Sequence, residues 1–178
     1  MPATRNRTGF GLIEVLVAVL VFSLGLIGLA GLMVMSTQAN HGAFIRTQAT
    51  FLAQNMADRM RANPVGLWAD AYDDTYPVTG TALACSEASP CTPAQVAVRD
   101  KQQWSTMLKQ LLPDDDNLKT TSIECTSDDA TALASIPSFS AKRAPYDGTC
   151  TMKITWTERS LSIGEAAAPQ TFAWVFQP

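Results

Sequence analysis

From Phe10 to Met35 nearly every position is apolar, and Glu14 alone interrupts the run with a charge. Val15 to Met35 is an uncharged stretch of 21 residues, and about 20 helical residues suffice to cross the hydrocarbon of a bilayer. The pattern predicts a membrane-spanning helix. After residue 36 the pattern changes. Ile45, Ala49, Leu52, Met56 and Met60 recur at helical spacing and Phe44 and Phe51 flank them, while Gln48, Gln54, Asn55, Asp58, Arg59 and Arg61 take other positions. This is an amphipathic helix, and its Met and Phe positions read as core with no cofactor role. Asn63-Pro64 ends it, because a proline disfavours helix at the residue before it. No firm break lies between Phe10 and Ala62, so the simplest expectation is one helix of about 53 residues, roughly 80 Å long.

Residues 64–91 show no period and read as irregular. The stretch "TPAQVAVRDKQQWSTMLKQLLP" then predicts a second helix. Thr92 suits its N-cap, Pro93 its first turn and Gln95 the capping-box position. Val96, Trp104, Met107, Leu108, Leu111 and Leu112 form its apolar face, Asp100 lies half buried beside Trp104, and Pro113 ends it. Three strand candidates follow. "NLKTTSIEC" is weak. "GTCTMKITWTE" alternates, with Cys150, Met152, Ile154 and Trp156 on one face, and "QTFAWVFQ" alternates with Phe172, Trp174 and Phe176 on one face. "RSLSIGEAAAP" between the last two is a long hairpin loop, and residues 126–147 form an insertion or a flexible loop. The sum is a small antiparallel sheet with the long helix against one face, an α+β head.

Charge orients this arrangement. Arg5 and Arg7 precede the apolar run and the next base is Arg46, so the positive-inside rule leaves the N-terminus in the cytoplasm and everything after residue 36 outside it. A cleaved secretory signal is disfavoured, since its apolar region is shorter than this one. From residue 63 onward 14 acids stand against 8 bases. An acidic head is a poor default partner for nucleic acid, so none is expected.

The four cysteines, Cys85, Cys91, Cys125 and Cys150, all lie on the exterior side, where disulfides persist. Three pairings are open. Cys85–Cys91 and Cys125–Cys150 are favoured: the first closes a short loop before a helix, and the second ties the end of one strand candidate to the start of another. Chain entropy assigns such loops about 2.4 and 3.5 kcal/mol. A zinc site is disfavoured, for no C-x-x-C occurs and the single histidine, His41, lies in the long helix. No metal or cofactor is expected. His41 has no partnered nucleophile and no Gly-rich phosphate loop appears, so an enzyme is not expected. Asp114-Asp115-Asp116-Asn117 lacks EF-hand spacing and reads as a solvated turn rather than a cation site.

Glu14 remains to be explained, because a carboxylate in a membrane helix is costly unless it is paired or near the interface. Its setting is a basic leader, then G-F-G-L-I-E, then the charge-free run. This resembles the class III signal of type IV pilins. The resemblance implies cleavage by a prepilin peptidase between Gly9 and Phe10, N-methylation of Phe10, and Glu14 as the residue that sets assembly register. Gly11 stands where the family often has Thr. The new amine at Phe10 and Glu14 are i and i+4 neighbours, and Glu14 of one subunit could instead meet the Phe10 amine of another, an attraction that low dielectric strengthens. Gly25, Gly28 and Gly31 either follow the general abundance of glycine in membrane helices or make a segment that packs closely or stretches.

Two strings, "GLIEVLVAVLVFSLGLIGLAGL" and "FLAQNMADRMRANP", are similar to PilV-type minor pilins, as are a helix with Asp100 and Trp104 as D-x-x-x-W and the terminal "ITWTE" and "FQP". The resemblance implies a pilin-like lollipop. Residues 1–9 would be the leader, 10–35 the transmembrane or filament-core half of the helix, 36–62 its amphipathic half, and 63–178 a disulfide-containing periplasmic head. It implies a minor subunit in the inner membrane that takes part in starting pilus assembly, in a tip or priming complex. The implied partners are other minor pilins, the major pilin and the assembly platform. Three rivals stand beside it: a minor pseudopilin of type II secretion, a pilus-tip binding module such as an adhesin or DNA receptor, and a tethered enzyme, for which the sequence shows no catalytic constellation.

Overall fold

The computed structural model describes residues 11–127, 146–158 and 166–178. The leader, Gly9 and Phe10 lie outside the described residues, as do 128–145 of the expected insertion and 159–165 of the expected hairpin loop. The chain divides at His41/Gly42 into two compact units.

Helix α1, Leu12–Ala62, runs through both as one 51-residue element. In the first unit every described residue from Gly11 to His41 is exposed. This stretch is long and apolar enough to cross a membrane.

The second unit begins where burial begins, at Gly42. A side chain at Gly42 would run into the Glu158 carboxylate, so glycine makes room for it. One turn on, Arg46 donates to Glu158 Oε2 at 3.2 Å. Ile45, Ala49, Leu52, Ala53, Met56, Ala57 and Met60 then bury one face of α1. Phe44 and Phe51 do not join them: both are exposed, at 56% and 51%. The expectation that the Phe positions belong to the core is therefore corrected. Alanines 53 and 57 complete the buried stripe instead.

Residues 64–91 are more ordered than their composition suggests. Asn63 ends α1 and also caps a short helix, α2 (Pro64–Trp68), by accepting from Gly66 N–H. A three-residue strand follows, β1 (Asp74–Tyr76). Helix α3 spans Pro93–Leu111 with the Thr92–Gln95 capping box formed. Its buried face holds Ala97, Asp100, Trp104, Ser105 and Leu108, and Val96 and Met107 are only partly buried. A 3-10 turn over Leu118–Thr120 takes the first part of "NLKTTSIEC", and strand β2 (Thr121–Thr126) takes the rest. Strands β3 (Thr149–Glu158) and β4 (Ala168–Phe176) match the two alternating runs.

Among the described residues the sheet has four strands where three were expected, all antiparallel in the order β1-β2-β3-β4. Ile123 stands opposite Met152, and Ile154 opposite Phe172. These side chains join the buried face of α1, with Trp68, Trp104 and Leu108, in one core. This is the expected α+β, pilin-like architecture. Both cysteine pairs are closed, Cys85 to Cys91 and Cys125 to Cys150. The second bond joins directly opposed residues of β2 and β3. Just before it, Gly148 has no room for a side chain, because the backbone of Thr126 and Ser127 passes over it.

Candidate functional site

The residues that carry the strongest chemical signal are at the start of α1. Glu14 occupies its first turn, where a carboxylate faces the positive end of the helix dipole. Its N–H donates to Gly11 O at 3.0 Å. The carboxylate is exposed and borders a shallow apolar groove of about 500 Å³ lined by Glu14, Val15, Ala18, Val19 and Phe22. Gly9 and Phe10, which were expected to flank the cleavage point, lie outside the described residues.

Around the helix from this groove the apolar surface has no partner among the described residues. Leu16, Leu20, Leu24 and Ile27 are all more than half exposed. Nothing lies within 4 Å of where a side chain would stand on Gly25, Gly28 or Gly31. Burial of apolar surface is the main favourable term in folding and in most association. A helix that buries none of it within its own chain must be covered by lipid, by other helices or by both. One acidic side chain at the end of that surface is then the feature that can discriminate between positions along it.

The second polar constellation is in the head and is structural. Asp100 is 5% exposed, fully buried rather than half buried. Its Oδ1 accepts from Arg59 at 3.1 Å and its Oδ2 from the Tyr72 hydroxyl at 3.0 Å. Tyr72 in turn accepts from Asn63 Nδ2 at 3.1 Å. Burial, with the Asp100 carboxylate close by, keeps the Tyr72 hydroxyl protonated far above its ordinary range. Arg59 is also held by Asn55 and Gln103, at 2.9 and 2.8 Å. Trp104 donates its indole N–H to Leu52 O at 2.9 Å and meets Tyr76 edge-on at 4.9 Å. The D-x-x-x-W pair thus clamps α3 to the end of α1 and to the segment after α2. A buried charge held this way is a registry element, since each member is satisfied only when the three segments meet correctly. The sequence shows Asp100 beside Trp104, but Tyr72 and Asn63 come from a stretch with no local signal.

The other candidates also resolve into structure. Asp115 Oδ1 accepts from the N–H groups of Asn117 and Leu118 at 2.9 and 3.1 Å and so caps the turn. Asp116 pairs with Lys119 at 2.6 Å, and that cation lowers the carboxyl below its usual range. Asn117 donates to Thr157 Oγ1 at 2.8 Å. His41 is exposed at the last position of the first unit. Among the described residues no group of three or more His, Cys, Asp or Glu side chains is placed to hold a metal ion.

Two family models match the chain. Residues 31–102 match the Tt1218-like family, described as type IV pilin Tt1218. Residues 4–30 match the prokaryotic N-terminal methylation motif. The matches adjoin, so a pilin domain follows directly on a processing motif, and together they support a type IV pilin. The first takes in α2, the Cys85–Cys91 loop and Asp100; the second takes in Gly9, Phe10 and Glu14. No curated protein and no solved structure matches the chain.

Proposed function

With a type IV pilin domain and a prepilin methylation motif as the premise, we propose that this chain is a PilV-type minor pilin, which takes part in starting pilus assembly within a tip or priming complex. One observation carries the proposal: the methylation motif leads into a helix that buries no apolar residue before Gly42 and bears one charge, Glu14, before Arg46. A structural subunit fits this better than an enzyme. In the proposed sequence of events a prepilin peptidase cuts between Gly9 and Phe10 and the new Phe10 amine is methylated, which leaves it cationic. The helix then waits in the inner membrane, N-terminus on the cytoplasmic side and head in the periplasm. Residues 10–35 serve as the membrane or filament-core half. Transfer into the filament exchanges lipid for neighbouring pilin helices, an exchange between two apolar surroundings with little net driving force. The polar term therefore selects the register. Glu14 of this chain meets the terminal amine of a neighbouring major or minor pilin, in a medium where leaving it unpaired is costly. The outward-facing Phe44 and Phe51 extend the apolar surface towards the head.

Mass spectrometry of the protein purified from membranes tests the processing: a mature chain beginning at N-methylated Phe10 is expected, and an intact leader in cells that make functional pili overturns it. Glu14→Ala is expected to leave the protein processed and membrane-bound while lowering its recovery in sheared pili about tenfold or more, the equivalent of roughly 1.4 kcal/mol or more. Deletion of the gene should abolish twitching and leave type II secretion intact; the reverse result would assign the chain to secretion.

A further inference from the structure

The sheet has two edges of very different character. At one end β1 is three residues long, and Asp74 within it pairs with Lys101 at 2.9 Å. A short, charged edge does not recruit other strands. At the other end β4 runs for nine residues, Ala168–Phe176, and contains no charged side chain. Its pairing with β3 is unbroken from Glu158↔Ala168 to Cys150↔Phe176, so no bulge twists the edge away. Among the described residues β4 has a neighbour on one side only.

The direction of its free main-chain groups can be read from β3. Thr155 N–H donates to Thr121 Oγ1 at 3.2 Å, on the β2 side, so Thr155 turns its main chain away from β4. Its partner Thr171 is then in a non-hydrogen-bonded pair, the arrangement that brings side chains closest. The two hydroxyls are indeed 3.2 Å apart. Period two extends this: Thr171, Ala173 and Val175 present N–H and C=O to the outside. Pro169 falls on the same positions, where its missing N–H costs β3 nothing. Beside the edge a groove of about 220 Å³ is lined by Phe172 and Trp174 of β4 and by Thr50 and Gln54 of α1.

We infer that the β4 edge is a docking site for an extended, uncharged segment of a second protein chain, with apolar side chains at alternate positions. Only an extended main chain can satisfy a row of outward N–H and C=O groups at strand spacing. The uncharged edge and the mostly apolar groove wall disfavour a charged segment, which would be desolvated without a partner. In the bound arrangement every second side chain of the incoming strand lies over the Phe172–Trp174 groove. This surface is separate from the start of α1, so its failure leaves the processing and register reading untouched.

The probe is a fluorescent peptide of β4's own sequence, APQTFAWVFQ, an uncharged strand of the stated pattern, added to the full chain in nanodiscs. Saturable binding in the micromolar range is expected. Ala173→Lys places a charge on the edge without touching the core, and should weaken binding roughly tenfold or more while the tryptophan-detected unfolding midpoint stays unchanged. A peptide with lysine at its threonine and central alanine positions should not bind. No saturable binding, or equal binding to Ala173→Lys, overturns the proposal. So does sedimentation of the chain alone as a dimer that Ala173→Lys dissolves, which would assign the edge to a second copy.

Discussion

Leu24 and Leu52 are the same residue on the same helix, yet one is 62% exposed and the other fully buried. The difference shows how one secondary-structure element can serve two solvents. From Gly42 onward α1 packs on α3 and the sheet and is held by core contacts and by the Arg59–Asp100 pair. Before Gly42 none of the described residues covers it, and its apolar residues are left to lipid or to other chains. Head stability and the exposed apolar surface therefore fall to different halves of one helix. Mutations in the second half should unfold the head; those in the first half should leave the head alone and disturb only what the protein joins.

Leu52→Ala against Leu24→Ala tests this most sharply. All four tryptophans, Trp68, Trp104, Trp156 and Trp174, lie after Gly42, so their fluorescence in a denaturant titration of the micelle-bound chain reports the head alone. Leu52→Ala should cost about 3 kcal/mol or more through lost burial and a residual cavity. Leu24→Ala should leave the titration within about 0.5 kcal/mol of the parent. Equal effects would mean that the two halves are not energetically separate.

Asp100→Ala should have the next largest effect. It strips Arg59 and the Tyr72 hydroxyl of a buried acceptor, which should cost the head about 2 kcal/mol in the same titration. Asp100→Asn should recover part of this, because an amide oxygen can still accept one of the two bonds. A loss below about 0.5 kcal/mol would show that water replaces the carboxylate and that the clamp is not a registry element.

The smallest effect concerns pH. Burial raises the Asp73 carboxyl above its usual range even though the Cys125 N–H donates to both oxygens, at 3.1 and 3.2 Å. A folded-state value above the unfolded one means that the fold holds the proton more tightly. This group's contribution is therefore fully present at acid pH below the unfolded value and is lost as pH rises through the folded one. Asp73→Asn, which stays uncharged, should match or exceed the parent's stability at pH 7. The parent should gain on the variant as pH falls into the carboxylate range. A parent that loses ground to the variant on acidification would reverse the sign and refute the burial argument.

The long helix, its stop at Asn63-Pro64, the Thr92–Gln95 capping box and the two alternating strands were legible because each depends on residues near one another in the chain. Glu14 was legible as a candidate because a lone carboxylate in an apolar run stands out without any structure. The segment after Pro64 was not. Its α2, β1 and Tyr72 are held by partners far along the chain: Tyr76 by Trp104, and Asp73 by the Cys125 N–H. Phe44 and Phe51 misled for a related reason. Helical spacing places them beside the stripe, but which neighbour fills the adjacent space is settled by the docking of α3 and the sheet.

Order along the chain alone decided that an apolar helix with one charge would lead into a polar head, since partition into lipid and helical periodicity depend only on residue type and spacing. Folding in three dimensions decided which half of that helix is covered, that Asp100 is buried with a full set of partners, and that β4 ends the sheet uncharged. Those are properties of which surfaces meet, and segments distant in sequence meet only once the chain has closed on itself.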